Sequence, residues 1–263
     1  MERLVLISPR GFCAGVERAI KIVHRELAKR DRVYCLHEIV HNDAVIEDLR
    51  RKGVYFVDAL SSVPSGCTVV FSAHGVAPQI REQALEMGLE CVDATCPFVA
   101  MAHETIRRNA AQGMRTAVFG DPRHVEVAGY LGERGACLPE DVKAGEKVGR
   151  VVQTTLDSSV YGGVCTATRD RQRAVGCFGG DAVLVLGGKR SSNTRKLFEK
   201  ARSAGKRSWL ADSAAEAASI DFSQVSTLGV TSGASTPDSV FREAVAALEC
   251  KYGLKAVEME AET

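Results

Sequence analysis

Residues 8–20 read SPRGFCAGVERAI, and this stretch sets the pattern for the rest of the chain. Cys13 follows a Pro-Arg-Gly turn at the predicted start of a helix, and Gly11 and Gly15 lie on either side of it. Glycine has no Cβ, so another group can approach the backbone closely there. A helix N-terminus also lowers the pKa of a thiol. The stretch therefore predicts a thiol at a helix start that is open to close contact.

The same order of strand, glycine-rich or polar turn and helix recurs along the chain. Eight short apolar runs are predicted strands, at residues 4–8, 32–36, 68–73, 89–94, 116–120, 150–155, 182–188 and 227–233. Amphipathic segments of helical period lie between them. Strands that alternate with helices indicate parallel βαβ units, and near-continuous apolar strands suit sheets that are covered on both faces. We therefore predict an α/β fold of parallel sheets.

Composition excludes several classes of protein. The 263 residues are 45% hydrophobic and 25% charged, with a formal net charge of +1. A nucleic-acid binder or a membrane-surface protein would usually show a basic face. The apolar run near the N-terminus, LVLI, is too short for a signal peptide or a membrane span. We expect a cytosolic protein without nucleic-acid or membrane partners.

The chain has nine cysteines but no Cys-x-x-Cys pair. An odd number of scattered cysteines does not suit a disulfide scaffold, a zinc finger or a thiol oxidoreductase with paired thiols. We expect four of them to be small buried residues, namely Cys35, Cys67, Cys91 and Cys250. Nothing in the sequence around Cys137 or Cys177 argues otherwise.

The residues that follow the predicted strands are rich in imidazoles, hydroxyls and thiols. In parallel sheets, ligands bind beyond the carboxyl ends of the strands. The residues at those positions include His41, His74, His124, Glu126, Thr154, Ser191, Ser192, Asn193 and Ser235, together with Cys13 and Cys96. A single histidine there is more often structural, and SSN before a helix is first of all an N-cap signal. Exposed N–H groups at a helix start also bind anions.

Known nucleotide motifs do not account for these positions. The sequence contains neither G-x-x-x-x-G-K-[ST] nor G-x-G-x-x-G, which disfavours a P-loop triphosphatase and a conventional nicotinamide enzyme.

Three cysteines share one context, in GFCAG, DATCP and GVCTATRD. Cys13, Cys96 and Cys165 each follow a strand or a glycine turn and lie close to a predicted helix start. Three thiolates from three βα blocks could converge and hold an iron–sulfur cluster. Four irons usually take four thiolates, so three ligands would leave one iron open for catalysis.

The sequence resembles the 4-hydroxy-3-methylbut-2-enyl diphosphate reductases, the LytB (IspH) family of the non-mevalonate isoprenoid route. The matching stretches are PRGFCAGVERAI, HEIVHN, FSAHGV, DATCP, HVEV, QTTL, CTATRDRQ, SSN and GASTPD, in family order between about residues 4 and 240. The resemblance implies three small α/β domains in pseudo-threefold arrangement around a [4Fe–4S] cluster. We expect these domains at residues 14–95, 96–162 and 163–263, with the N-terminal strand 1–13 joining the third.

The resemblance also implies a role for each site residue. Cys13, Cys96 and Cys165 match the cluster ligands, Glu126 the proton donor and Thr154 the hydroxyl beside it. The diphosphate-binding positions are matched by His41, His74, His124, Ser191, Ser192, Asn193 and Ser235. The implied reaction is a reductive dehydroxylation that gives isopentenyl and dimethylallyl diphosphates. Its electrons would come from a separate donor such as a ferredoxin or flavodoxin, because the sequence has no flavin or nicotinamide motif.

The sequence departs from the family pattern in three places. Val125 replaces a common proline, only DSSVYGGV (157–164) separates QTTL from Cys165, and the glycine-rich GCFGGD (176–181) weakens the helix after Cys165. Two alternatives stay open on these grounds. The protein could be a paralogue that acts on a modified allylic diphosphate, or a cluster-bearing sensor or binding protein without turnover.

Overall fold

The computed structural model describes residues 1–163 and 165–259. Val164, in the shortened segment, and residues 260–263, at the end of the predicted third domain, lie outside the described residues. Within the described part, the strands form three separate sheets in which neighbouring strands pair in parallel. This confirms the predicted α/β class.

Strands and helices alternate along most of the chain. The strands are β1 (Arg3–Leu6), β2 (Val33–Leu36), β3 (Val54–Val57), β4 (Thr68–Phe71), β5 (Glu90–Asp93), β6 (Thr116–Phe119), β7 (Ala136–Cys137), β8 (Gly149–Val152), β9 (Ala182–Leu186), β10 (Arg207–Ala211), β11 (Thr227–Ser232) and β12 (Ala256–Glu258). The helices are α1 (Ala14–Leu27), α2 (Asp43–Arg51), α3 (Pro78–Glu86), α4 (Pro97–Ala111), α5 (Val125–Leu131), α6 (Ser158–Tyr161), α7 (Thr166–Cys177), α8 (Ser192–Ser203), α9 (Ala214–Ser219) and α10 (Asp238–Tyr252). Two 3₁₀ turns lie at Leu60–Ser62 and Pro139–Asp141.

The three sheets follow one another along the chain, apart from the first strand. The first sheet has the order β3-β2-β4-β5, and the second has the order β7-β6-β8. The third sheet has the order β10-β9-β11-β1-β12, so β1 lies between two strands from the other end of the chain. The domain boundaries that the sequence suggested stay a prediction, whereas this pairing of β1 is directly visible.

The strand β9 illustrates why the central strands are recognisable in the sequence. All five residues of its AVLVL sequence are buried. Val183 and Val185 pack into one core with Val175 of α7 and Leu197 of α8, whereas Leu184 packs into the core on the other face. A strand covered on both faces needs apolar residues at every position rather than at alternate ones.

The eight predicted strands are present, with predicted ends that run up to three residues into the following loops. Four further strands were missed, namely β3, β7, β10 and β12. All four lie at the edge of a sheet. An edge strand pairs on one side only, tolerates polar residues and stays short, which explains its weak sequence signal.

The cysteine predictions were partly wrong. Cys35 is buried, but Cys67 and Cys91 are only partly buried and Cys250 is exposed. The buried residues of α10 recur with helical period, at Phe241, Ala244, Val245 and Leu248. Cys250 follows Leu248 by two residues, which turns it about 200° away from the core face. Cys137 is buried, and Cys177, the last residue of α7, is exposed.

None of the helices in residues 1–163 and 165–259 combines the length and the apolar character needed to cross a bilayer.

Candidate functional site

The predicted site residues follow strands or precede helices in all three sheets. His41, His74 and Cys96 come after β2, β4 and β5 of the first sheet, and His124 and Thr154 come after β6 and β8 of the second. Ser191 and Ser235 come after β9 and β11 of the third. Parallel strands present their carboxyl ends at the same edge, so each sheet directs its loops to one side.

Each of the three predicted cluster thiols is the N-cap of a helix. Cys13 precedes α1, Cys96 precedes α4 and Cys165 precedes α7, all with an extended backbone. None of the three caps its helix with a side-chain hydrogen bond. The free N–H groups of a helix start favour a thiolate, which is the form that binds metal.

The sulfur atoms converge over Gly15. A Cβ built on Gly15 would lie 2.6 Å from Cys96 Sγ and 3.9 Å from Cys13 Sγ. Burial is the first cause that raises the pKa of Cys96, and the neighbouring Cys13 and Cys165 add to it. Backbone N–H groups of Phe98 and Val99 act in the opposite direction. The thiols thus lie close enough to oppose one another's ionisation.

A buried cation lies beside the thiols. Arg171 on α7 is 3% exposed and donates a hydrogen bond from Nη2 to Gly11 O at 2.8 Å. Its Nε has no hydrogen-bond partner among the described residues. Burial lowers the pKa of Arg171, and the nearby Cys13 and Cys165 partly restore it. Three thiols, three helix starts and a buried guanidinium together suit an anionic metal–thiolate group.

The three histidines form a compact cluster. The rings of His41 and His74 stack with centroids 4.6 Å apart, and His124 meets each of them edge-on at 5.5 Å. One nitrogen of each ring lies within 4.8 Å of the other two, a spacing that could hold a metal ion or an anion. Burial, followed by the other imidazoles, lowers the pKa of His74 well below its usual value. The pKa of His124 falls to about 4, again mainly through burial and next through His41.

The neighbouring hydroxyl and amide groups favour an anion. Ser191 is the N-cap of α8, and its Oγ accepts a hydrogen bond from Thr194 N at 3.4 Å. Asn193 accepts one from Ala234 N at 3.0 Å through Oδ1, which fixes the direction of its amide donor. Ser235 is 6% exposed, and its Oγ has no hydrogen-bond partner among the described residues. A buried hydroxyl that has no partner among the described residues is available to a polar ligand.

Glu126 and Thr154 form a buried pair. Glu126 is 2% exposed on the first turn of α5. Its Oε1 accepts hydrogen bonds from Thr154 N at 2.6 Å and from the Tyr130 hydroxyl at 3.0 Å, and its Oε2 is 2.8 Å from Thr154 Oγ1. Burial raises the pKa of Glu126, although these hydrogen bonds act against the increase. A buried carboxyl with a raised pKa can act as a proton donor.

One cavity connects the three groups. Its lining includes all twelve predicted residues: Cys13, Cys96, Cys165, His41, His74, His124, Glu126, Thr154, Ser191, Ser192, Asn193 and Ser235. Thr155 and Thr168, which were not predicted from the sequence, also line it. Thr155 Oγ1 lies 2.7 Å from Ser192 Oγ, and Thr168 Oγ1 accepts a hydrogen bond from Asn193 Nδ2 at 3.3 Å. The stretches QTTL and CTATRD contain these threonines beside predicted site residues, which was an available signal.

Comparison with known proteins identifies the family of the chain. The model of the family described as LytB protein matches residues 4–163 and 157–249. The two matches meet at 157–163, where the sequence indicated a shortened segment. The 4-hydroxy-3-methylbut-2-enyl diphosphate reductase of Tolumonas auensis is 38% identical over 98% of this chain and 94% of its own length. The corresponding protein of Methylococcus capsulatus is 37% identical over 98% of this chain and 93% of its own length.

Solved structures show the same likeness. The E-1-hydroxy-2-methyl-but-2-enyl-4-diphosphate reductase of Plasmodium falciparum superposes with a TM-score of 0.90 at 31% identity, over 100% of this chain and 93% of that one. A second structure is that of (E)-4-hydroxy-3-methyl-but-2-enyl diphosphate reductase, the terminal enzyme of the non-mevalonate pathway. It superposes with a TM-score of 0.68 at 28% identity, over 95% of this chain and 99% of that one. The family resemblance drawn from the sequence is confirmed.

We predict that Gly15→Ala prevents the thiols from sharing one bound group. The added Cβ would lie 2.6 Å from Cys96 Sγ, so either the sulfur of Cys96 or the start of α1 must move. Iron and acid-labile sulfide in anaerobically purified protein should fall at least about tenfold, since metal sites require tight ligand geometry. Gly179→Ala is the control, because nothing lies within 4 Å of a Cβ at that position. Wild-type iron content in Gly15→Ala would contradict the convergence.

We also predict that binding of an anion at the histidine cluster is coupled to proton uptake. His74 and His124 are uncharged near neutral pH because their pKa values are lowered. A bound diphosphate favours the charged imidazoles, so their pKa values rise on binding. Affinity should therefore be highest at low pH and fall as the pH rises through the pKa values of the complex.

Calorimetry of inorganic diphosphate in two buffers of different ionisation enthalpy measures this proton uptake. The ligand's own protonation is common to wild type and to His124→Asn, so the difference between them isolates the histidine. Equal proton uptake by the two proteins would exclude a role for His124 in the coupling.

Proposed function

This chain belongs to the LytB protein family, and on that premise we propose that it is a 4-hydroxy-3-methylbut-2-enyl diphosphate reductase. The reaction removes the 4-hydroxyl of (E)-4-hydroxy-3-methylbut-2-enyl diphosphate as water and gives isopentenyl and dimethylallyl diphosphates. It consumes two electrons and two protons. The curated relatives carry this activity in their names, and the chain matches them over almost its whole length.

The observation that carries the proposal is the convergence of three chemical groups on one cavity. Thiols, imidazole and hydroxyl donors, and a buried acid all line it, although they come from all three sheets. The substrate has a diphosphate at one end and a hydroxyl at the other. It therefore needs an anion site and a proton donor within one molecule's length.

The diphosphate would bind to the histidine cluster and the start of α8. His74 and His124 gain charge as the anion enters, and the Ser235 hydroxyl gains a partner, which it lacks among the described residues. Ser191, Ser192 and Asn193 contribute hydroxyl and amide groups at a helix N-terminus, where the dipole favours negative charge. Charge-assisted hydrogen bonds of this kind are about twice as strong as neutral ones.

Glu126 would supply protons through Thr154. The raised pKa of Glu126 keeps the carboxyl protonated at a pH at which exposed acids are ionised. Thr154 Oγ1 faces Glu126 Oε2 at 2.8 Å, and both residues line the cavity. A hydroxyl can accept one proton while it donates another, so Thr154 can pass a proton to the substrate oxygen.

The thiols of Cys13, Cys96 and Cys165 would hold a [4Fe–4S] cluster with one iron left without a protein ligand. The thiolate donor set, the absence of a side chain on Gly15 and the buried charge of Arg171 all fit such a group. When bound, the cluster supplies the electrons and a Lewis-acidic iron for the leaving hydroxyl. Those electrons would reach it from a separate protein such as a ferredoxin or flavodoxin, because the sequence has no flavin or nicotinamide motif.

The three sheets support the division into domains at residues 14–95, 96–162 and 163–263, with residues 1–13 added to the last. By these boundaries Cys13 and Cys165 both fall in the third domain and Cys96 in the second, so the first domain contains none of the three thiols. The helices that start at these thiols, however, lead into the first, second and third sheets respectively. The pseudo-threefold arrangement is therefore best described by the helices α1, α4 and α7.

A Mössbauer spectrum of anaerobically purified protein, with and without the hydroxymethylbutenyl diphosphate, tests the cluster and its substrate together. We expect one iron of four to be distinct and to shift when the substrate is added. Cys165→Ser should lose or degrade the cluster, whereas Cys177→Ser, at the exposed far end of the same helix, should keep it. Full cluster retention in Cys165→Ser would break the three-ligand assignment. Iron that does not respond to the substrate would favour the modified-substrate paralogue or the sensor.

Glu126→Gln should bind the substrate and turn it over poorly. The amide keeps the shape of the side chain but has no acidic proton, so kcat should fall about 10²-fold or more. KM should change little, because the diphosphate contacts remain. Steady-state kinetics with a chemical reductant measures both parameters. Normal turnover in this variant would remove Glu126 as the proton donor.

A further inference from the structure

We propose that Tyr130 is a positioning residue that acts with the Thr154 N–H to keep the proton of Glu126 on Oε2. This inference rests on the proposed function, in which Glu126 is the acid. Tyr130 does not line the cavity as the described residues define it, and it is 0% exposed. It acts through its hydroxyl group on Glu126 and has no contact with the reacting atoms.

Helical geometry brings the two side chains together. Glu126 and Tyr130 are four residues apart in α5, so they lie on the same face of the helix. The Tyr130 hydroxyl is 3.0 Å from Glu126 Oε1, and both groups are buried. The same oxygen accepts the backbone N–H of Thr154 at 2.6 Å. Two donors therefore converge on Oε1.

The identity of these donors fixes the site of the proton. A backbone N–H can only donate, so Oε1 must act as an acceptor. The hydroxyl oxygen of a carboxylic acid is a poor acceptor, so the proton of neutral Glu126 belongs on Oε2. Oε2 is the oxygen that faces Thr154 Oγ1 at 2.8 Å. The proton thus already points along the path to the substrate.

The ring of Tyr130 is held from its other side. His103 of α4 meets it edge to face, with centroids 5.0 Å apart. His103 Nδ1 is 2.8 Å from Glu133 Oε1, which also accepts a hydrogen bond from Arg107 Nη1 at 2.8 Å. His103 and Glu133 are both buried. These contacts hold one side of the ring, which keeps the hydroxyl within reach of Glu126 Oε1.

Tyr130→Phe removes the hydroxyl and keeps the ring that packs on His103. Without the second donor, the Thr154 N–H alone holds Oε1, so the carboxyl is freer to rotate and its proton is less firmly directed at Thr154 Oγ1. We expect kcat to fall about tenfold, as for other small misplacements of a catalytic group, and KM to stay near the wild-type value. Tyr252→Phe is the matched control, since it also removes one hydroxyl, which accepts a hydrogen bond from Phe222 N at 2.7 Å, and neither residue lines the cavity.

Infrared difference spectroscopy of the same proteins gives a second readout that does not depend on turnover. The carboxylic C=O band of Glu126 is the one that disappears in Glu126→Gln. We expect this band to move to higher frequency in Tyr130→Phe, because the carbonyl oxygen loses a hydrogen-bond donor, and to stay in place in Tyr252→Phe.

The proposal is overturned if the Glu126 band does not move in Tyr130→Phe, whatever happens to kcat, or if wild type has no such band. It is also overturned if kcat in Tyr130→Phe equals that of wild type. Wild-type protein that never turns over the hydroxymethylbutenyl diphosphate would instead refute the proposed function. In that case the infrared result still decides how Tyr130 and Glu126 interact.

Discussion

The close approach of three helix starts is the constraint on which the rest of the structure depends. The helices α1, α4 and α7 lead into three different sheets, yet each begins at a thiol of the same cavity. Gly15 leaves no room for a side chain between Cys13 and Cys96. Backbone hydrogen bonds fix this junction, since Cys13 N donates to Ala234 O at 3.1 Å and Cys96 N donates to Ala73 O at 2.9 Å. The three sheets are therefore oriented so that the loops after their strands meet at the thiols. This orientation also sets the positions of the imidazoles and hydroxyls, which lie on the same loops.

Burial of so many polar groups has an electrostatic cost, and the site limits this cost by keeping the groups neutral. The pKa values of His74 and His124 are lowered and that of Glu126 is raised, in each case first by burial. A buried neutral group costs far less than a buried charge. Arg171 is held as a buried cation near the thiols, where negative charge is expected. The site therefore suits the entry of an anion at one set of residues and the release of a proton at another.

Sequence could predict the residues that lie next to strands and helix starts, because parallel sheets place those positions together whatever the details of packing. This is why all twelve predicted residues line one cavity. The sequence did not reveal the edge strands β3 and β10. Each pairs with a neighbour on one side only, and such a strand has a weak apolar pattern. Nor did the sequence reveal Tyr130. The importance of that hydroxyl depends on Glu126 also reaching Thr154, 28 residues away across a second loop. Such a contact leaves no local pattern.

The short connection before Cys165 is explained by how it is tied to the helix that follows. Gln172 of α7 is 2% exposed, accepts a hydrogen bond from Ser158 N at 2.9 Å through Oε1, and donates one to Leu156 O at 3.2 Å through Nε2. Lys200 of α8 bonds to Asp157 and to Ser159 at 3.3 and 3.1 Å. The segment is thus fastened to α7 itself, whose N-cap is Cys165. A loop that is anchored on the following helix needs few residues to fix the start of that helix. Cys165 can therefore keep its place although this connection is shorter than the family pattern.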